Sequence, residues 1–463
     1  MNQGIIKELV EIVGEDNLTT DQIDKITHSY DATQKKYLPD VVVYASNTVE
    51  ISRIVKIANK WNMPLLPRGA GSGLSGGSVP VQGGIVLVLT RMDKILEIDS
   101  ENLIARVEPG VITAELQRQV EKVGLFYPPD PASKEFSTLG GNVAECAGGP
   151  RCVKYGVTKE YILGLEVVTP TGEIIRTGGV TLKNVVGYDL TKLFVGSEGT
   201  LGIITEITLK LLPKPAAKKT MLIQFSSIEG AAQSVSAIIS EKIIPTTLEF
   251  MDKATINCIR GKSDIPIPEN SQAILIVEVD GDIEFLERQA EKILAVIEPF
   301  GIIDTRIAET HEESEKIWGV RRIVSPSLGK ISPDKFNEDI VVPRSKVPDM
   351  IRMLEKISEK YDIPIVNFGH AGDGNIHVNI MVDMQQDGME QTVDKVMEEV
   401  FEAAIGLRGS ISGEHGIGLS KAKYLKMELD EATLACMKKI KNALDPGNIL
   451  NPGKIFIEQQ GRV

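Results

Sequence analysis

The chain has 463 residues, 42% hydrophobic and 25% charged, which excludes global disorder and gives roughly three domains' length of packed protein. A net charge of −13 argues against nucleic acid or an anionic membrane surface as a partner. The four cysteines, Cys146, Cys152, Cys258 and Cys436, form no C-x-x-C pair; no zinc ribbon or usual iron–sulfur cluster is encoded, and a reducing cytoplasm is the expected setting.

Residues 1–15 mix apolar positions with Lys7, Glu8, Glu11 and Glu15, predicting an amphipathic helix rather than a signal peptide. No apolar run approaches the ~18 residues of a transmembrane segment. Helix-like spacing at 49–61 is followed by an extended piece at 63–67 and strands at 84–90 and 103–108. Residues 162–169 and 174–177 read as a hairpin, and 200–212 as one long strand. The Pro- and Lys-rich stretch 213–219 reads as an interdomain connection. Beyond it, strand patterns at 221–225, 246–251, 273–279, 304–308, 339–342 and 363–368 alternate with helical ones, clearest at 283–297 and 345–361. Residues 422–444 read as helical again, and 450–456 as an extended tail.

Five glycines, Gly69, Gly71, Gly73, Gly76 and Gly77, lie within nine residues. Such a loop lets backbone N–H groups approach an anion without Cβ interference, and Arg68 is expected to add a positive charge at its entrance. A diphosphate is the natural guest. There is no lysine between Lys60 and Lys94, so this is no ATPase phosphate loop; Val79-Pro-Val-Gln-Gly83 opens no helix, so it is no dinucleotide fingerprint either. Gly-rich stretches at 138–149 and 195–202, with turns at Pro109-Gly110 and 128–131, point to a large extended ligand lying along one domain.

Pro67-Arg-Gly-Ala-Gly-Ser-Gly73, Pro128-Pro-Asp-Pro-Ala-Ser133, Gly140-Gly-Asn142, Lys154-Tyr-Gly156, Gly196-Ser-Glu-Gly-Thr-Leu-Gly202 and Asn451-Pro-Gly-Lys-Ile-Phe456 together resemble the vanillyl-alcohol-oxidase superfamily. Within it, nearly the whole chain is similar to the FAD-linked D-2-hydroxyacid dehydrogenases, which include D-lactate dehydrogenases and the flavin subunit of glycolate oxidase. The fold this implies is α+β: a PCMH-type FAD-binding domain (1–215), an α+β substrate cap with an antiparallel sheet (216–410), and a helical C-terminal segment (411–463) returning to the FAD domain. The resemblance implies that Pro67, Arg68, Gly69, Ala70, Gly71, Ser72, Gly73, Leu74, Gly76 and Gly77 cradle the FAD diphosphate. It places Pro109, Gly110, Pro131, Ser133, Ser137, Thr138, Gly140, Gly141, Asn142, Ala144, Gly148, Tyr155 and Gly156 along the cofactor, with Glu198, Gly199, Gly202, Ile203, Ile204 and Asn451. Some superfamily members attach flavin through a histidine in the first loop; Ser72 stands there, so non-covalent FAD is expected. Cys146 and Cys152 are expected to be packing residues.

Three of the five histidines, His370, His377 and His415, fall within 46 residues. Asp373-Gly374 is a strong two-residue hairpin signal. Such a turn would place His370 directly opposite His377, with their Cβ atoms about 5 Å apart, a good disposition for two metal ligands. In extended chain Glu414 and His415 point to opposite sides, which assigns Glu414 to a divalent metal (Zn, Fe or Mn) and His415 to proton transfer. The resemblance implies the same roles for H-x6-H and G-E-H-G. It also implies that Arg321, in Trp318-Gly-Val-Arg-Arg322, binds the substrate carboxylate; Asn379, on the face of His377, is a second expected contact. Phe336-Asn-Glu-Asp339 stands where dicarboxylate-handling relatives carry a lysine, which favours a small monocarboxylate.

The resulting expectation is FAD- and metal-dependent oxidation of a small D-2-hydroxy acid, D-lactate before glycolate. Electrons would pass to an acceptor such as an electron-transfer flavoprotein or an iron–sulfur subunit, in a hetero-oligomeric complex. The alternatives are an alkyl-glycerone-phosphate-synthase-like transferase, a non-catalytic flavoprotein electron-transfer subunit and a metal-dependent hydrolase. The last lacks H-E-x-x-H and leaves the later flavin-like motifs unexplained.

Overall fold

The computed structural model describes residues 3–456. They divide into two compact units, one of residues 3–148, 157–214 and 414–456, the other of 149–156 and 215–413. The chain passes from the first unit to the second between Lys214 and Pro215. The short piece 149–156, expected in the FAD domain with Tyr155 and Gly156, groups instead with the second unit. The reason is chemical: the Tyr155 hydroxyl donates to the Asp280 carboxylate at 2.8 Å, and Lys154 Nζ pairs with the same carboxylate.

The first unit holds two main sheets. In one, Val41–Tyr44, Ile85–Val88 and Leu65–Arg68 run parallel in that order, with Leu18–Thr19 antiparallel at the edge. The central strands are apolar throughout because parallel strands are buried on both faces. Helix Thr48–Lys60 makes the crossover. Asn47 caps it by accepting from the Glu50 N–H, and Ile51, Ile54, Val55 and Ala58 pack on Ile5, Leu9 and Val13 of helix Gln3–Val13. The second sheet is antiparallel, in the order Ile95–Asp99, Ile104–Val107, Ile203–Lys210, Ile162–Val168, Ile174–Gly178. The expected long strand at 200–212 is therefore shorter. Thr200 bonds back to the Ser197 carbonyl through both its N–H and its hydroxyl, forming a turn before the strand begins. The expected continuous helix at 422–444 is broken: Leu429 is extended (ψ 133°), and Asp430 caps a new helix, Glu431–Leu444.

The second unit is one seven-stranded sheet in the order Ile302–Ile307, Ala217–Phe225, Ala273–Gly281, Thr247–Met251, Ile365–His370, Asn375–Val382, Asp334–Val341. All its pairings are antiparallel. Helices Ile228–Ser240, Ile283–Ile297, Val347–Tyr361 and Met389–Gly406 alternate with the strands and bury apolar stripes. Helices Lys253–Ile259, His311–Arg322 and Val324–Leu328 share a core with Met251, Ile274, Ile276, Val366 and Phe368.

Asp252 caps helix Lys253–Ile259 from inside this unit, accepting from the N–H groups of Thr255 and Asn367 and from the Asn367 side chain. Burial pushes its carboxyl from 3.8 up to about 6, although these bonds pull the other way. The native state thus holds a proton that the unfolded chain releases between those values. The stability this group contributes is full below pH 3.8 and lost as pH rises through about 6, a change on the order of 3 kcal/mol. Asp252→Asn keeps an acceptor but cannot titrate. Relative to wild type, its urea midpoint should be higher at pH 7.5 than at pH 4.5; a constant difference between the two proteins would refute the assignment.

Candidate active site

Within the second unit the chemistry-bearing side chains collect on one face of the sheet. Strand Ile365–His370 is joined to Asn375–Val382 by four residues, not two. His370 pairs with Asn375, and Phe368 with His377. The expected register, with the histidines directly opposed, is thus off by two. The cause is non-local: the Gly372 N–H bonds the Leu248 carbonyl, the Gly374 carbonyl takes the Val342 N–H, and the Asp373 and Gly374 N–H groups return to the His370 carbonyl. Gly374 has φ +89°, and a Cβ there would sit 1.9 Å from the Val342 carbonyl oxygen, so only glycine closes this turn. A slip of two preserves the face. The imidazoles are diagonal neighbours, their centroids 5.1 Å apart and their planes nearly perpendicular.

Ligand-capable atoms of His370, His377 and Glu414 lie within 4.8 Å of one another, the one such group of three among the described residues. Glu414 directly follows Gly413. The Gly413 N–H is held at 2.7 Å by Asp339, a buried residue paired with His377 across the sheet, and Asp339 also accepts from Ser412 Oγ. A Cβ on Gly413 would meet Asn375 Nδ2 at 2.2 Å, so this approach to the sheet also requires glycine. Two nitrogen donors and one carboxylate suit a divalent ion with open positions.

Glu249, which the sequence reading missed, lies between two expected functional residues. It is fully buried in strand Thr247–Met251, opposite His370. One oxygen meets His370 Nδ1; the other accepts from Arg321 Nε at 2.7 Å. Burial pushes its carboxyl up, but His370 and Arg321 more than offset this and hold it below the usual range. With Nδ1 engaged by Glu249, Nε2 is the nitrogen through which His370 would meet a metal ion. Arg321 stacks on the Phe368 ring, its guanidinium carbon 4.3 Å from the centroid, and among the described residues its terminal nitrogens have no hydrogen-bond partner. The only local signal for Glu249 was one carboxylate inside an apolar strand. Asn379 is buried with its amide engaged: Nδ2 donates to the carbonyls of Val366 and His377, and Oδ1 accepts from Asn337 Nδ2.

The glycine loop lies in the first unit. Arg68 is not a cation at its entrance, as expected, but is 6% exposed. Its Nη1 donates to the Ser78 carbonyl and its Nη2 to that of Tyr30. It braces the loop from beneath, where a Cβ on Gly71 (φ +69°) would strike its Nη2 at 2.1 Å. The loop nonetheless fits an anionic guest: Ser75 Oγ and Ser78 Oγ are buried with no hydrogen-bond partner among the described residues. Ser137, Thr138 and Asn142 are buried beside it. Thr138 caps Leu139–Glu145 by accepting from the Gly141 N–H, and Asn142 donates to Thr113. The Thr138 hydroxyl is what a Cβ on Gly69 would meet, at 2.3 Å, which sets the two motifs side by side. Asn451 donates to the carbonyls of Gly77 and Glu198, joining the first and third glycine stretches, and accepts from Lys454. Burial pushes the Cys146 thiol up, which suits a packing role.

Glu198, expected among the cofactor contacts, spends its carboxylate on the backbone: it accepts from the Ile417 and Gly418 N–H groups at 2.7 and 2.6 Å. The Ser75 carbonyl accepts from Leu419 and Ser420. The chain just after His415 is thereby fastened to two glycine motifs of the same unit.

Residues 39–178 match the family described as FAD binding domain, and residues 214–455 the family described as FAD linked oxidases, C-terminal domain. The chain is 47% identical over 457 residues to glycolate oxidase subunit GlcD of Bacillus subtilis (strain 168), covering 98% of this chain and 97% of that one. It is 38% identical over 460 residues to a D-lactate dehydrogenase of Anaerostipes hadrus, covering 97% of each. Among solved structures it superposes on p-cresol methylhydroxylase with substrate bound, with a TM-score of 0.82 at 18% identity, covering 100% of this chain and 98% of that one. That likeness bears out the PCMH-type fold.

Proposed function

Because the chain belongs to the FAD-linked oxidases, as an oxidoreductase of the glycolate oxidase and D-lactate dehydrogenase type, we propose that it oxidises a small 2-hydroxy monocarboxylate to the 2-oxo acid with the aid of a divalent metal. The observation that carries this reading is the set of donors gathered about His370. His370, His377 and Glu414 suit a metal, and Arg321, tied to His370 through Glu249, offers two unengaged guanidinium nitrogens to a carboxylate. Glycolate gains weight from the relative at 47% identity, and D-lactate remains the other candidate.

In this reading FAD supplies the two-electron acceptor for hydride from C2, and a Zn, Fe or Mn ion held by His370, His377 and Glu414 supplies a Lewis acid that acidifies the substrate hydroxyl. Arg321 pairs with the carboxylate through its two terminal nitrogens and fixes which way C2 faces. His415 accepts the hydroxyl proton at a ring nitrogen as the C–H bond breaks. The glycine loop and Asn451 hold the non-covalent cofactor. Electrons then pass to a separate acceptor protein, an electron-transfer flavoprotein or an iron–sulfur subunit, in keeping with a relative named as a subunit. Four free cysteines suit a reducing cytoplasm. Among the described residues no helix is long and apolar enough to cross a membrane.

The test is an anaerobic visible spectrum of the purified protein with glycolate, D-lactate and L-lactate added in turn. Bleaching of the flavin band by glycolate or D-lactate and not L-lactate is the expected result. A flavin that no hydroxy acid reduces, with Zn²⁺, Mn²⁺ or Fe²⁺ added, would overturn the reading in favour of the transferase or the electron-transfer subunit.

A further inference from the structure

The active site's two binding elements share one support. Glu249 contacts both His370 and Arg321, and it does so from the interior of the sheet, fully buried, with one oxygen for each. Neither partner is placed by its own strand or helix alone. An imidazole can rotate about χ2 and present either nitrogen; the bond to Nδ1 removes that choice. A guanidinium at the end of helix His311–Arg322 has several rotamers. The Nε bond and the Phe368 ring leave it one, with the terminal nitrogens facing outward from the pair.

We propose that Glu249 is a positioning residue that orients the metal-binding histidine and the carboxylate-binding arginine together, so that metal affinity and acid affinity depend on one side chain that touches neither guest. This rests on the functional reading of His370 and Arg321 given above. A residue serving only the fold would not move both affinities while leaving the flavin in place. The geometry also accounts for a charged residue within the strand Thr247–Met251, where all five residues are buried.

The experiment uses the full-length flavoprotein, freed of metal and titrated with Zn²⁺ against a chromophoric chelator, beside steady-state kinetics with glycolate and D-lactate. Glu249→Gln keeps the shape but offers one acceptor where two are needed. It should weaken Zn²⁺ binding 10- to 100-fold, the usual effect of losing such a partner. It should also raise KM for the acid at least tenfold, with the bound-flavin spectrum unchanged. If this variant does not fold, Glu249→Asp retains the charge but withdraws it by one methylene, and the same two losses are expected of it. Wild-type Zn²⁺ affinity together with wild-type KM in a folded variant would overturn the proposal, as would loss of only one of the two. Failure of the unmodified protein to bind Zn²⁺, Mn²⁺ or Fe²⁺ stoichiometrically would overturn the metal-dependent reading itself, a result distinguishable from failure of Glu249 alone.

Discussion

Replacing His415 by alanine is expected to slow anaerobic flavin reduction by the hydroxy acid about 10²- to 10⁴-fold, the share a positioned general base ordinarily supplies. The cofactor should remain bound. The backbone next to His415 is fixed on one side by Asp339 at Gly413 and on the other by Glu198 at Ile417 and Gly418, and none of these bonds involves the imidazole. The substitution therefore removes the proposed proton acceptor and leaves these backbone bonds in place. Stopped-flow bleaching of the oxidised flavin band checks it. A rate within threefold of wild type would show that another group takes the proton.

His377→Ala should have the other large effect. On the proposed metal-dependent reading, two of three donors cannot hold a catalytic divalent ion with useful affinity, so the variant should bind no metal. With the ion should go the several kcal/mol of charge stabilisation that such an ion supplies, about 10³-fold or more in flavin reduction. The imidazole sits across from Phe368, with centroids 5.5 Å apart, on strands that keep all their backbone bonds, so the sheet should survive. The control is the wild-type protein stripped by a chelator, which should match the variant in rate. Added Zn²⁺ should restore the stripped protein and not the variant. Restoration of both would remove His377 from the metal site.

The features legible in the sequence are those that local rules determine. Helix 283–297 was bounded correctly because its apolar stripe and its start after Asp282 are both contained in fifteen residues. The hairpin 162–178 was legible from the turn residues Pro170, Thr171 and Gly172 between two β-branched runs. Each miss involves a partner distant in sequence. The turn after His370 departs from the two-residue form because Leu248 and Val342 bond its backbone. Arg68 resembles an anion ligand by composition, yet carbonyls at Tyr30 and Ser78 take its donors first. Strand Ile95–Asp99 was not anticipated: it is a short, half-exposed edge whose existence depends on pairing with Ile104–Val107. Glu249 is the hardest case. A single charged residue in an apolar setting carries no local motif, and its role follows only from which groups the fold brings to it.

Neither compact unit is a continuous stretch of chain, and this has a consequence for biosynthesis. The first unit needs residues 414–456, which supply the Leu450 bridge to Leu65 and the Asn451 brace on the glycine loop. A ribosome that has completed residue 214 must still translate roughly 200 residues before that segment emerges, about 10–40 s at ~5–20 residues per second. Throughout that interval the loop expected to grip the diphosphate has no C-terminal support. Flavin capture that relies on this brace must await that segment, and the half-formed first unit is the species that chaperones would meet.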